Sequence, residues 1–123
     1  MTASRSILLI EDDAGIRESV AECLESEGYV VTPVSNGVEG LQWLRRPHRP
    51  NLIVLDLVMP VMSGAQFLSE LREDPGLRDL PVVLMTAASP SGTLPIPQAN
   101  AYLPKPFHLG ELLAVVERHS AER

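Results

Sequence analysis

The chain has 123 residues, 45% hydrophobic and 21% charged, the balance of an ordinary globular domain with enough apolar sequence for one core. Its formal net charge of −6 opposes a nucleic-acid backbone, and its few cations are scattered apart from Arg45, Arg46, His48 and Arg49. One cysteine, Cys23, excludes an internal disulfide, and no apolar run approaches the roughly 18 residues of a membrane span.

These features predict a single domain over residues 1–123, cytoplasmic, with no nucleic-acid or membrane contact. The first apolar run, Ile7 to Ile10, is too short for the core of a signal peptide. It ends abruptly in Glu11-Asp12-Asp13. Ile16, Val20, Cys23 and Leu24 then recur at helical spacing, and Gly28 is a stop signal. Tyr29 to Val34 reads as a strand, Asn36-Gly37 as a turn, and Val38, Leu41 and Leu44 as a second helical stripe that ends by Pro47. Leu52-Ile-Val-Leu55 is the strongest strand signal and runs straight into Asp56.

Ser63 is placed to cap a helix that buries Phe67, Leu68 and Leu71 and ends near Pro75-Gly76. Val82 to Met85 reads as another buried strand, terminating at Thr86. A short run, Ala101-Tyr-Leu103, precedes Lys105, and Leu109, Leu112, Leu113 and Val116 form one face of a closing helix. Strands alternating with helices imply parallel βαβ units. Continuous Ile/Leu/Val runs suit strands covered by helices on both faces. The expected fold is therefore α/β, with a doubly wound, five-stranded parallel sheet.

In such a sheet, ligands bind at the carboxyl ends of the strands, beside the point where strand order reverses. Glu11/Asp12, Asp56, Thr86 and Lys105 all follow strand runs, so they should converge there. Two like charges about 5 Å apart repel by roughly 3 kcal/mol at an effective dielectric near 20. A site with three carboxylates therefore calls for a cation, and oxygen ligands favour Mg²⁺. A carboxylate can also act as a nucleophile and form an aspartyl phosphate, with positive charge and hydroxyls compensating the phosphoryl oxygens.

Four segments now carry a resemblance. They are Ile10-Glu-Asp-Asp13-Ala-Gly-Ile-Arg17, Leu55-Asp56-Leu-Val-Met-Pro60 with Ser63-Gly64, Met85-Thr86-Ala87, and Tyr102-Leu-Pro-Lys105-Pro106-Phe107. In this order, and across nearly the whole chain, they resemble the receiver domain of two-component response regulators, the CheY-like family. The resemblance implies the flavodoxin-like strand order 2-1-3-4-5. It makes Asp56 the phosphoacceptor, fed by a histidine kinase or histidine phosphotransfer protein. It assigns Mg²⁺ to Glu11, Asp12, Asp56 and the backbone carbonyl of Val58, and the phosphoryl oxygens to Thr86 and Lys105. Thr86 and Tyr102 become the switch pair, and a cis peptide is implied between Lys105 and Pro106. The output partner is unspecified, and the expected state is monomer or weak dimer, not a conventional enzyme.

Plainer readings exist for each residue. Asp56 alone would pass for a turn former, and Glu11 and Asp12 for complements to the following helix dipole. Thr86 alone would be a cap, Lys105 a solvated lysine and Tyr102 packing. His48, His108 and His119 have no metal-ligand spacing and read as surface residues. Cys23 reads as core, and Trp43, off its helical stripe, as partly exposed. A phosphorylation-independent interaction module is the main functional alternative. An aspartate-nucleophile phosphohydrolase would need a second acid where Val58 stands, and a flavin binder would not present three acids to a phosphate.

The chain departs from the family between Thr86 and Lys105, where a helix normally lies. Pro95 and Pro97 would each cost a helix about 3 kcal/mol or more, and Gly92 roughly 1 kcal/mol. The expectation is that this helix is lost or reduced to one irregular turn.

Overall fold

The computed structural model describes residues 5–47, 49–59, 61–87 and 97–120. Its strands are β1 (Ser6–Ile10), β2 (Val30–Val34), β3 (Leu52–Asp56), β4 (Val82–Ala87) and β5 (Ala101–Lys105). Its helices are α1 (Ala14–Ser26), α2 (Gly37–Leu44), α3 (Gly64–Glu73) and α4 (Leu109–His119). Every strand pair is parallel, and the order is β2-β1-β3-β4-β5, so the expected doubly wound topology is met. The expectation of a lost helix before β5 concerns residues 88–98, of which 88–96 lie outside the described residues.

Side chains alternate across a strand, so each inner strand feeds two cores. Leu8, Ile10, Ile53, Leu55 and Leu84 pack with Leu41, Leu44, Phe67 and Leu71 of α2 and α3. Ile7, Leu9, Leu52, Val54 and Val83 pack with Val20, Leu24, Leu112 and Val116 of α1 and α4. Both faces of β1 and β3 are thus dry, which is why their sequences are unbroken apolar runs. Phe67 is fully buried. Trp43 and Cys23 are half-buried, each packed against one of the two cores.

Local chemistry sets the helix ends. Asp13 caps α1 by accepting from the Ile16 amide at 2.9 Å. At its other end, the Gly28 amide donates to Glu25 O and the Tyr29 amide to Leu24 O, with Gly28 at φ +94°. This paired closure needs a left-handed residue, which glycine supplies without strain. It also corrects the sequence expectation for the second strand. Tyr29 belongs to the helix closure, and β2 begins at Val30. Asn36, expected in a turn, is instead the N-cap of α2, its side chain accepting from the Glu39 amide at 2.9 Å. Ser63 caps α3 as expected, in a reciprocal box with Gln66.

At the opposite end of the sheet, Asn100 links β4 to the start of β5. Its Oδ1 accepts from the Val82 amide at 2.8 Å, while the Asn100 amide donates to Val82 O. Arg72 of α3 reaches the same Oδ1 at 3.4 Å and also donates to Arg78 O and Leu80 O. The two outer strands, β2 and β5, carry exposed prolines at Pro33 and Pro104. Among the described residues, no helix is long and apolar enough to cross a membrane.

Candidate functional site

Strand register assembles the site. Ile10 pairs with Leu55, and Asp56 pairs with Met85. One step beyond those pairs, Glu11 falls level with Asp56, and Thr86 follows Met85. Lys105 arrives at the end of β5, paired with Ala87. The carboxyl edge of four adjacent strands, β1, β3, β4 and β5, therefore carries the acids, the hydroxyl and the cation, as the sequence pattern implies.

One oxygen from each of Glu11, Asp12 and Asp56 lies within 4.8 Å of the others. Glu11 is fully buried, Asp56 nearly so, and Asp12 is exposed. Lys105 Nζ sits 3.0 Å from Glu11 Oε1 and 3.3 Å from Asp56 Oδ1. Burial, reinforced by the neighbouring Asp56 carboxylate and opposed by Lys105, pushes the Glu11 carboxyl from 4.5 up to about 8. Burial lowers the Lys105 ammonium, but its bonds to Glu11 and Asp56 outweigh this and its net shift is upward.

One ammonium faces three carboxyl groups, so with all three ionised the cluster is short of positive charge. Glu11 Oε2 is buried with no hydrogen-bond partner, a costly state for a carboxylate oxygen. The donor set is oxygen only, so these residues fit a hard divalent cation such as Mg²⁺.

The remaining predicted residues surround this cluster. Thr86 is buried at the end of β4. Val58 lies in the loop after β3 with its side chain 61% exposed. The Lys105–Pro106 peptide is cis. Tyr102 is exposed, and its hydroxyl donates to Pro97 O at 3.1 Å and accepts from the Ala99 amide at 3.0 Å. His108 is exposed just before α4 and His119 is half-buried near its end, while His48 lies outside the described residues.

Two residues of the quoted motifs have contacts that the sequence reading did not assign. Gly64 opens α3 directly behind Asp56, with its amide donating to Leu57 O at 2.8 Å. A side-chain carbon there would lie 2.7 Å from the Asp56 carbonyl oxygen. Arg17 Nη1 reaches back to Glu11 O at 2.9 Å and Asp12 O at 3.3 Å. A cation in the first turn of a helix, against its dipole, is the sequence signal that marks this residue.

The family model of the response regulator receiver domain matches residues 7–117. The chain belongs to that family. The receiver domain is 40% identical over 115 residues to the response regulator Rre1 of Synechocystis sp., covering 90% of this chain and 49% of that protein. It is 41% identical over 111 residues to the response regulator MprA of Mycobacterium leprae, covering 88% and 47%. It thus spans about half the length of the curated relatives it matches.

Among solved structures, a sensor histidine kinase receiver domain from Pseudomonas aeruginosa, described with magnesium coordinated in its active-site cleft, is 30% identical. Its TM-score is 0.88, with 98% of this chain and 100% of that one covered. The receiver of a signal transduction histidine kinase from Syntrophus aciditrophicus is 31% identical, with a TM-score of 0.84 and 95% and 90% covered. Family membership places the receiver domain in two-component signalling, where receivers work with histidine kinases and are not conventional enzymes.

Proposed function

We propose that this receiver domain accepts a phosphoryl group on Asp56 and holds Mg²⁺ with Glu11, Asp12, Asp56 and the backbone carbonyl of Val58. The observation that carries this is the three-carboxylate cluster with Lys105 3.3 Å from the Asp56 carboxylate, at the carboxyl edge of the sheet. The magnesium described for the Pseudomonas relative supports the choice of ion.

In the proposed reaction an Asp56 carboxylate oxygen attacks the phosphorus of a phosphohistidine on a kinase or phosphotransfer protein. The P–N bond breaks, its electron pair stays on the imidazole nitrogen, and an aspartyl phosphate forms. Positioning and charge compensation are the protein's contribution, because the transferring group spreads negative charge over its oxygens. Lys105 supplies an ammonium beside the acceptor, and the Thr86 hydroxyl donates to a phosphoryl oxygen. Bound Mg²⁺ supplies further positive charge to the same oxygens. A small acyl phosphate serves as an alternative donor.

Thr86 and Tyr102 make the switch. Drawing Thr86 toward the new phosphoryl group and moving Tyr102 from its exposed position alter the face offered to an output partner. The domain acts in the cytoplasm as a monomer or weak dimer. Intact-mass analysis after acetyl phosphate and Mg²⁺ treatment should show one added phosphoryl group, absent in Asp56→Asn. Equal labelling of the variant would overturn the assignment.

A further inference from the structure

Arg17 lies four residues into α1 from its cap Asp13, where a positive charge opposes the helix dipole. A residue that breaks a local preference needs a compensating contact, and the structure supplies one. Helical side chains lean toward the N-terminus of their own helix, so the guanidinium is carried back over the turn that joins β1 to α1. There a single nitrogen, Nη1, donates to both Glu11 O at 2.9 Å and Asp12 O at 3.3 Å. Of the two residues whose carbonyls it gathers, one buries its carboxylate completely and the other exposes it. The first turn of α2 closes on the same region. The Glu39 carboxyl is held low first by its bonds from Ser35 and, more weakly, by the Arg17 charge. Gly40 brings α2 against Ile10, the last residue before the acids, where a side-chain carbon would lie 2.6 Å from Ile10 Cδ1.

We propose that Arg17 is a positioning residue for the metal site, clasping the Glu11 and Asp12 carbonyls so that their carboxylates are presented together to the ion. This rests on the reading of Glu11, Asp12 and Asp56 as Mg²⁺ ligands. Arg17 contributes no ligand atom and touches no substrate. It fixes the backbone that aims two of the three carboxylates, in the way that outer partners orient metal ligands elsewhere.

The clasp and a bare charge make opposite predictions. A cation near a cation site repels the ion, so if Arg17 mattered only as a charge, neutralising it would tighten Mg²⁺ binding. If it is a clasp, neutralising it loosens the ligands and weakens binding. The test is a MgCl₂ titration of ¹⁵N-labelled protein without phosphodonor, following backbone amide shifts. It compares wild type, Asp12→Ala, Arg17→Met, Arg17→Gln and Arg17→Lys. Methionine keeps the apolar stem and the helix propensity of arginine.

Arg17→Met and Arg17→Gln should weaken Mg²⁺ about tenfold, the lower end of what losing an outer partner costs. Arg17→Lys should recover most of that loss, because one nitrogen makes both bonds. Unchanged or tighter binding in folded Arg17→Met or Arg17→Gln would overturn the proposal, as would an Arg17→Lys as weak as they are. If wild type itself shows no Mg²⁺-dependent shifts around Glu11 and Asp56, the metal reading falls as well. If wild type binds, Asp12→Ala does not, and Arg17→Met matches wild type, only the clasp falls.

Discussion

Replacing Gly64 with alanine drives a methyl carbon into the backbone that carries Asp56. An ideally placed Cβ at this position lies 2.7 Å from Asp56 O, 2.8 Å from Leu57 Cα and 3.1 Å from Leu57 O. None of these is the end of a flexible side chain, so either α3 retreats or the loop after β3 shifts. Overpacking of this kind costs about 1–3 kcal/mol. Straining the 2.8 Å bond from the Gly64 amide to Leu57 O removes about 1 kcal/mol more, while alanine's better helix propensity returns at most about 1 kcal/mol. The net loss is about 2 kcal/mol, which for a domain of this size lowers the thermal midpoint by roughly 5–10 °C. Because misplacing a reacting group by about 1 Å can cost about 100-fold in rate, labelling by acetyl phosphate should slow by about tenfold or more.

Gly110 provides the control. It lies in α4 with no atom within 4 Å of its would-be Cβ, so Gly110→Ala should be neutral or stabilising by up to about 1 kcal/mol. Thermal unfolding by circular dichroism and intact-mass time courses on both variants check the argument. A Gly64→Ala protein that melts and labels like wild type would refute the close approach as a constraint.

Asn100→Ala leaves the buried Val82 amide without its acceptor and should cost about 1–3 kcal/mol in urea unfolding. Asn100→Asp, which keeps an acceptor near Arg72, should recover much of that, and equal losses in both would disprove the role. Asn36→Ala removes the cap of α2 and should cost about 1 kcal/mol by the same measurement, with Asn36→Asp close to wild type. In a chelating buffer, the raised Glu11 carboxyl means that the folded state holds a proton the unfolded chain releases. Metal-free stability should therefore be fullest below pH 4.5 on this account and fall as pH rises to about 8. Glu11→Gln should flatten that slope, and a wild-type profile already flat over the window would contradict the assignment.

The sequence made the sheet legible because its inner strands are dry on both faces. Runs such as Ile7–Ile10 and Leu52–Leu55 have no other use in a chain this size, and the polar residue ending each run marks the edge where the site lies. It was poorer at boundaries. Tyr29 looks like strand because it is aromatic and precedes a β-branched run. Its amide instead closes α1, a choice made by Gly28 at a distance of one residue. Asn36-Gly37 has the composition of a turn and the geometry of a cap, which composition alone does not separate. The cluster of Glu11, Asp12 and Asp56 followed from strand order. The support behind it did not, because the contacts of Gly64 and Arg17 are made to backbone atoms, and the single mark they leave in the sequence is a cation set against the dipole of its helix.

The prolines on the outer strands bear on how copies of this domain can meet. A sheet edge is normally a template on which a further strand can grow, whether from a partner or from a misfolded copy. Here each edge is five residues long and is interrupted by a residue with no amide hydrogen, Pro33 on β2 and Pro104 on β5. An incoming strand would find too few consecutive donors on either side to form a stable ladder. Edge-to-edge growth into filaments is therefore discouraged at both margins. Any contact between copies is directed to helices and loops.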